Sequence, residues 1–204
     1  MQQKLVEKMI IRELLAGERA KLLDFLLSLN EADRYRRFGR SMPDTAIRAY
    51  VAQIDWTEWV LLGAFNSQAE LVGVLELAEA RPGACEIAVA VAPSYRGKGM
   101  GKELMERALL KARVRGKDRV TLLCQADNEP MRRLARSAGL RAVTADGETE
   151  GELDLDVARP GDVAEERTRE AIENVAYMGL LTTRAWADLV AEGFARAARV
   201  SEPA

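Results

Sequence analysis

The chain contains no histidine and only two cysteines among its 204 residues. Without histidine there is no Ser-His or Cys-His hydrolytic couple and no His-ligated metal site, which removes two large classes of enzyme chemistry. Cys85 and Cys124 lie far apart, each in an apolar, strand-like run. They read as reduced, buried, small hydrophobes of a cytoplasmic protein. An excess of one charge is also missing. Lys plus Arg number 30 against 32 Asp plus Glu, a formal net charge of −2, so neither nucleic acid nor an anionic membrane is expected as a partner. No apolar stretch approaches the roughly 18 residues a membrane-spanning helix needs. The first residues, with Glu7, Arg12 and Glu13 close by, lack the apolar centre of a signal peptide. What remains, 48% hydrophobic and 30% charged residues, suits one α/β domain with a substantial core and an appendage.

Periodicity orders the chain. Lys8 to Leu14 reads as a strand, and Leu22, Leu23, Leu26 and Leu27 recur at helical spacing between Gly17 and Leu29. Arg34 to Gly39 reads as a basic turn, and Pro43-Asp44 starts a helix reaching Ile54. Three strands follow, Trp59 to Asn66, Leu71 to Ala78 and Cys85 to Val91. Next come a helix with Leu104, Met105, Ala108, Leu109 and Ala112 on one face, a short strand from Val120 to Cys124, and a helix capped by Asn128 and closed by Gly139. A last strand runs from Glu152 to Val157. Beyond Pro160, Thr168 to Met178 and Thr183 to Ala198 read as two helices, the second with Trp186, Leu189, Val190, Phe194 and Ala197 on one face. Helices of that length need a packing surface, either an intramolecular cap on the sheet or a dimer contact.

The most informative residues are Arg96-Gly97-Lys98-Gly99-Met100-Gly101, set where the strand ending at Val91 turns into a helix. Glycines let the backbone approach a ligand and adopt positive φ. The first amides of a helix lack intrahelical partners, and the macrodipole makes that end positive. Such a turn cradles a diphosphate, and Arg96, Lys98 and Lys102 add charge. The spacing fits neither G-x-G-x-x-G nor G-x-x-x-x-G-K-[ST], so the dinucleotide and P-loop readings fall.

With Val91 four residues before Arg96, and Gly99 and Gly101 beyond it, the segment resembles the V-x-x-x-x-[QR]-x-x-G-x-[GA] signature of the GNAT acetyltransferases. The element order over residues 8–158 is also similar to that family's. Asn128 to Leu140 resembles its second coenzyme-side motif, with Leu140 where a phenylalanine is usual. The Arg37-Phe38 pair, the Glu86 to Val91 strand and Asn128 to Leu140 are similar to the catalytic domains of bacterial protein lysine acetyltransferases. The resemblance implies an α/β fold of the α+β kind: a mixed, mostly antiparallel sheet flanked by helices over residues 1–158, with a C-terminal helical extension over 159–204. It implies acetyl-CoA as co-substrate with its pyrophosphate on residues 96–102, Asn128 beside the pantetheine, a backbone N–H near Val89 or Val91 stabilising the oxyanion, and no metal. The reaction implied is acetyl transfer to a primary amine, a protein lysine or a small amine such as a polyamine, by a monomer or homodimer. A non-catalytic acyl-CoA sensor or interaction module is the alternative.

Glu86 is the only charged residue between Ala84 and Ala92. A partly desolvated carboxylate there suits a general base, the role the resemblance also implies; a structural ion pair or strand-edge charge is the competing reading. The family's usual tyrosine acid position holds Ala135. Asp146, Glu148, Glu150, Glu152, Asp154 and Asp156 alternate, which puts them on one face of an extended chain, either as an acidic lip for a cationic acceptor or as a solvated edge strand. Their spacing begins like a calcium loop, but Val157 stands where a bidentate glutamate is required. The basic residues from Arg107 to Arg119 read as a solvated helix face with some members available to the coenzyme 3′-phosphate.

Overall fold

A computed structural model describes residues 9–200, with side chains through Glu192. Seven strands form one sheet in the order β1-β2-β3-β4-β5-β7-β6. They are β1 (Ile10–Glu13), β2 (Val60–Phe65), β3 (Leu71–Arg81), β4 (Ala84–Val91), β5 (Arg119–Gln125), β6 (Arg141–Ala145) and β7 (Glu148–Asp154). Every pairing is antiparallel except β4 with β5. The mixed, mostly antiparallel sheet expected from the sequence is therefore present.

Helices α1 (Arg19–Ser28), α2 (Glu31–Phe38) and α3 (Asp44–Gln53) cover one face, and α4 (Met100–Val114) with α5 (Glu129–Ser137) cover the other. Strand alternation supplies both cores. Val74 and Leu61 point to a cluster with Leu22, Phe25, Leu26, Ile47 and Val51, whereas Leu75, Leu77 and Ile87 point to one with Leu104, Met105 and Ala108.

Three expectations need correction. The basic segment at Arg34 to Gly39 is the second half of helix α2. Asn30 caps it by accepting the Asp33 amide at 2.9 Å, and Gly39 ends it at φ +70°. The acidic stripe does not form an edge strand, because β7 lies between β5 and β6 in the sheet. The edge is β6, a strand that periodicity does not show, joined to β7 through Asp146 (φ +50°) and Gly147 (φ +84°). The two C-terminal helices are one, α6 (Pro160–Val200). Gly179 costs about 1 kcal/mol in a helix without stopping it, and the Thr182 and Thr183 hydroxyls donate back to Met178 and Gly179 carbonyls at 2.9 Å.

Helix α6 packs on β1 and α4, with Tyr177 buried against Phe65 at 4.5 Å between centroids. That covers the sheet edge at β1. Trp186, Leu189 and Val190 remain exposed; the side chains of Phe194 and Ala197 lie outside the described residues. The basic face of α4 is not solvated where it meets α6. Arg107 is 1% exposed and pairs with Glu166 at 3.2 Å and Glu173 at 2.7 Å, while buried Lys111 meets Glu13 and Glu166 at 2.8 and 3.1 Å. Charges that deep stay ionised only when matched, so these pairs fix how α6 docks. Among the described residues no helix is long and apolar enough to cross a membrane.

Near the same edge, buried Arg12 donates to Glu18 and stacks 3.8 Å above the Tyr177 ring, and Lys21 reaches Glu18 at 3.0 Å. Burial raises the Glu18 pKa, but hydrogen bonds from Arg12, Lys21 and the Leu15 amide outweigh it and hold the value at about 2, below the ordinary 4.5. A depressed carboxylate contributes stability above its unfolded pKa and loses it as pH falls toward the folded one. Glu18→Gln is therefore expected to lose about 2 kcal/mol at pH 7 after allowing for solvent screening, with the gap to wild type narrowing between pH 4.5 and 2. Urea unfolding at pH 7 and pH 3 checks this; an equal gap at both contradicts it.

Candidate active site

Strand β4 pairs with β3 along its length, from Arg81↔Ala84 to Gly73↔Val91, but with β5 only from Ala84↔Arg119 to Glu86↔Thr121. Past Glu86 the two parallel strands separate. The Ala92 amide bonds to Val72 of β3 at 2.9 Å. Because backbone groups alternate sides along a strand, the amides of Val89 and Val91 face the opposite way, into the gap. The opening continues into a cleft of about 1000 Å³, lined by Gly97, Gly99 and Gly101 at one end and by Glu86 and Glu76 at the other.

The glycine turn has the geometry that an anion cradle needs. Gly97 and Gly99 take φ +71° and +89°, and a Cβ on either would meet nothing within 4 Å. Gly99 is the N-cap of α4 and offers no side chain to the helix amides. The first helical bond is Glu103 to Gly99, at 3.1 Å, which leaves the amides of Met100, Gly101 and Lys102 without helical partners at the positive end of the dipole. Met100 has its side chain in the core, 4% exposed, so only its backbone faces the turn. Asn128, nearly buried, lines the cleft and caps α5 by accepting the Met131 amide at 3.3 Å.

The cations divide. Lys98 and Lys102 are exposed, Lys98 sitting 5.1 Å from the Tyr95 ring centroid. Arg96 lines the cleft with the glycines and is already engaged: its Nε donates to the Val91 carbonyl at 2.8 Å and its guanidinium pairs with buried Asp33 of α2 at 2.9 Å. That long-range pair ties α2 to the turn and has no local signature in sequence.

Glu86 lines the cleft but is exposed, contrary to the expected desolvation. The most deeply buried carboxylate lining the cleft is Glu76 of β3, 1% exposed, which sequence reasoning does not single out. Its Oε2 accepts from Arg37 and from the Tyr50 hydroxyl. Burial and the Glu76 charge push the Tyr50 phenol well above its ordinary value against the pull of Arg37, so its proton stays on the oxygen. A signal exists: Glu76 is as isolated among apolar residues in Leu71 to Leu77 as Glu86 is in its own strand.

Ala135 is buried beneath the sheet with Leu140. Of the acidic stripe, Glu148 lines the cleft, whereas Glu152 and Asp154 pair with Arg119. Both cysteines are buried, and burial pushes both thiols above their ordinary pKa.

A mixed sheet that splays beside a glycine turn at a helix N-terminus is the architecture of an acyl-group transferase. The model of the acetyltransferase (GNAT) family matches residues 23–140, more than half of the chain, and the chain belongs to that family as an N-acetyltransferase. Its fold is similar to the GNAT domain of a protein acetyltransferase from S. lividans, at 20% identity and TM-score 0.61 over 76% of this chain and 100% of that one. It is similar to spermidine N-acetyltransferase from Vibrio cholerae, solved with CoA and spermine, at 16% identity and TM-score 0.58 over 72% and 95%. It is similar also to yncA from Salmonella typhimurium, solved with acetyl-CoA, at 20% identity and TM-score 0.58 over 74% and 96%.

Proposed function

We propose that the chain transfers the acetyl group of acetyl-CoA to a primary amine, a protein lysine or a small amine, by direct attack within a ternary complex. The observation that carries this reading is the cleft joining the glycine turn to the exposed carboxylate of Glu86. The amides of residues 100–102, with Lys98 and Lys102, hold the pyrophosphate, and Asn128 lies along the pantetheine. Glu86 takes the proton from the acceptor ammonium, directly or through one water. The freed amine attacks the thioester carbonyl, and the Val89 or Val91 amide receives the oxyanion. The carbon–sulfur bond then breaks, and the thiolate takes up the proton that the new amide nitrogen gives up as CoA leaves. Residues 1–158 form the catalytic unit in this reading and 159–204 its C-terminal extension, whose helix α6 packs along β1. Neighbours solved with CoA or acetyl-CoA support the co-substrate.

Buried thiols with raised pKa values argue against an acetyl-cysteine intermediate, because the thiolate is the nucleophile. Initial velocities measured against both substrates are therefore expected to give intersecting reciprocal plots. Parallel plots, with a 42-dalton adduct on protein incubated with acetyl-CoA alone, would overturn direct attack. The buried Ala135, which offers no hydroxyl, favours a second reading, an acyl-CoA sensor that does not transfer the group. Acetyl-CoA binding without product on any amine would establish it.

A further inference from the structure

Glu76 is one of three buried carboxylates, with Asp33 and Glu166, that pair through one oxygen and keep the other buried without a hydrogen-bond partner among the described residues; it alone of the three stands on the same strand pair as Glu86. Arg37 and Tyr50 both donate to Oε2, while Oε1 is buried and has no hydrogen-bond partner among the described residues. Leaving such an acceptor unsatisfied is costly, and at Glu76 the unpartnered oxygen belongs to a residue that lines the cleft beside Glu86. Register places it with respect to Glu86. Glu76 is opposite Ala88, and Glu86 is opposite Ala78, so the two glutamates are diagonal neighbours on one sheet face, roughly 7 Å apart at Cβ. The residues between them, Ala78 and Ala88, have no bulk above Cβ and line the same cleft. The result is a small apolar floor with a carboxylate at either end, one fixed and buried, the other exposed.

We propose that Glu76 is the acceptor-binding residue of this cleft: its Oε1 accepts a hydrogen bond from the incoming primary ammonium and holds it above Ala88, facing Glu86. The proposal rests on the amine-acetylation reading above and divides its two carboxylates by role. Arg37 and Tyr50 fix the direction of the Glu76 carboxylate, which suits binding. Glu86, which has no hydrogen-bond or ion-pair partner among the described residues, is the one placed to accept and release a proton. The floor of two alanines suits an unbranched alkylammonium, the end of a lysine side chain or a straight-chain diamine, and disfavours an amine with a branched α-carbon. A charge-assisted hydrogen bond of this kind is directional and among the stronger ones a site can offer.

The test is amine binding without turnover. Wild type and Glu76→Gln, each with CoA present, are titrated with Nα-acetyl-lysine methylamide and with n-butylamine by calorimetry, and acetyl-CoA binding is measured separately on the same samples. Wild type is expected to bind both amines, and Glu76→Gln to bind them at least tenfold more weakly with acetyl-CoA affinity unchanged. In turnover the same variant raises KM for the amine at least tenfold and leaves kcat within about threefold, a split that a merely structural role would not give. Equal amine affinity in Glu76→Gln, or no amine binding by wild type, overturns the proposal. Glu76-dependent amine binding without acetyl-CoA binding leaves it standing and fells the acetylation reading instead. If thermal unfolding shows that Glu76→Gln does not fold, Ala88→Val decides: it is expected to block amine binding while acetyl-CoA still binds, and undiminished amine binding would refute the placement above Ala88.

Discussion

Glu86→Gln is expected to lower kcat at pH 7 by about 10²–10⁴, the range that general-base catalysis supplies, with acetyl-CoA affinity changed less than about twofold. An alkylammonium with a pKa near 10.4 is neutral in only about one molecule in 2500 at pH 7, and the amide cannot take its proton. The fold should be indifferent, because Glu86 is exposed and its strand is held by β3 along its whole length. The deficit should also shrink as pH approaches 10, where the acceptor loses its proton unaided. Turnover at pH 7 equal to wild type would remove Glu86 from the reaction and leave the cleft needing another base.

The second large effect falls on the glycine turn. Gly99→Trp should weaken acetyl-CoA binding by at least about a hundredfold, because its side chain would project into the empty space above the α4 amides. Part of any change will be backbone strain, about 1–2 kcal/mol for an L-residue in the left-handed region. Gly116→Trp isolates that part. Gly116 also has positive φ, +72°, with nothing within 4 Å of its Cβ position, yet it lies past the other end of α4. The two variants should lose similar stability in urea, and only Gly99→Trp should lose calorimetric acetyl-CoA binding. Parallel losses of binding would mean the turn acts through the fold rather than as a cradle.

Much of this arrangement is legible in the sequence because its causes are local. The glycine spacing, the amphipathic stripe of α4 and the Asn128 cap are short-range features, and the structure places each where periodicity puts it. Helix α2 escapes that reading although Asn30, Glu31 and Asp33 at its start and Arg36, Arg37 and Gly39 at its end are all terminus signals. With only Tyr35 and Phe38 as large apolar residues in it, there is no stripe to read. The hairpin β6–β7 is announced by Asp146-Gly147, but β6 is exposed at every position and so shows no alternation.

Both glutamates stand out among apolar neighbours, but which of them is buried has no local signal. Alternation assigns Glu76 and Glu86 to the same sheet face; it does not say how far α2 and α3 extend over that face. Arg37 and Tyr50, brought from 39 and 26 residues away, cover Glu76 and stop short of Glu86. Desolvation therefore falls on a different carboxylate from the one that sequence pattern alone selects. The Arg96–Asp33 pair is hidden for the same reason.

The central claim is chemical, and product analysis tests it most directly. The protein is incubated with acetyl-CoA and a panel of lysine peptides and straight-chain polyamines, and both the amines and the coenzyme are followed by mass spectrometry. The account predicts a 42-dalton gain on a primary amine matched one for one by free CoA, and its loss in Glu86→Gln. Tight acetyl-CoA binding with no acetylated amine anywhere in the panel would contradict it and make the cleft a sensor.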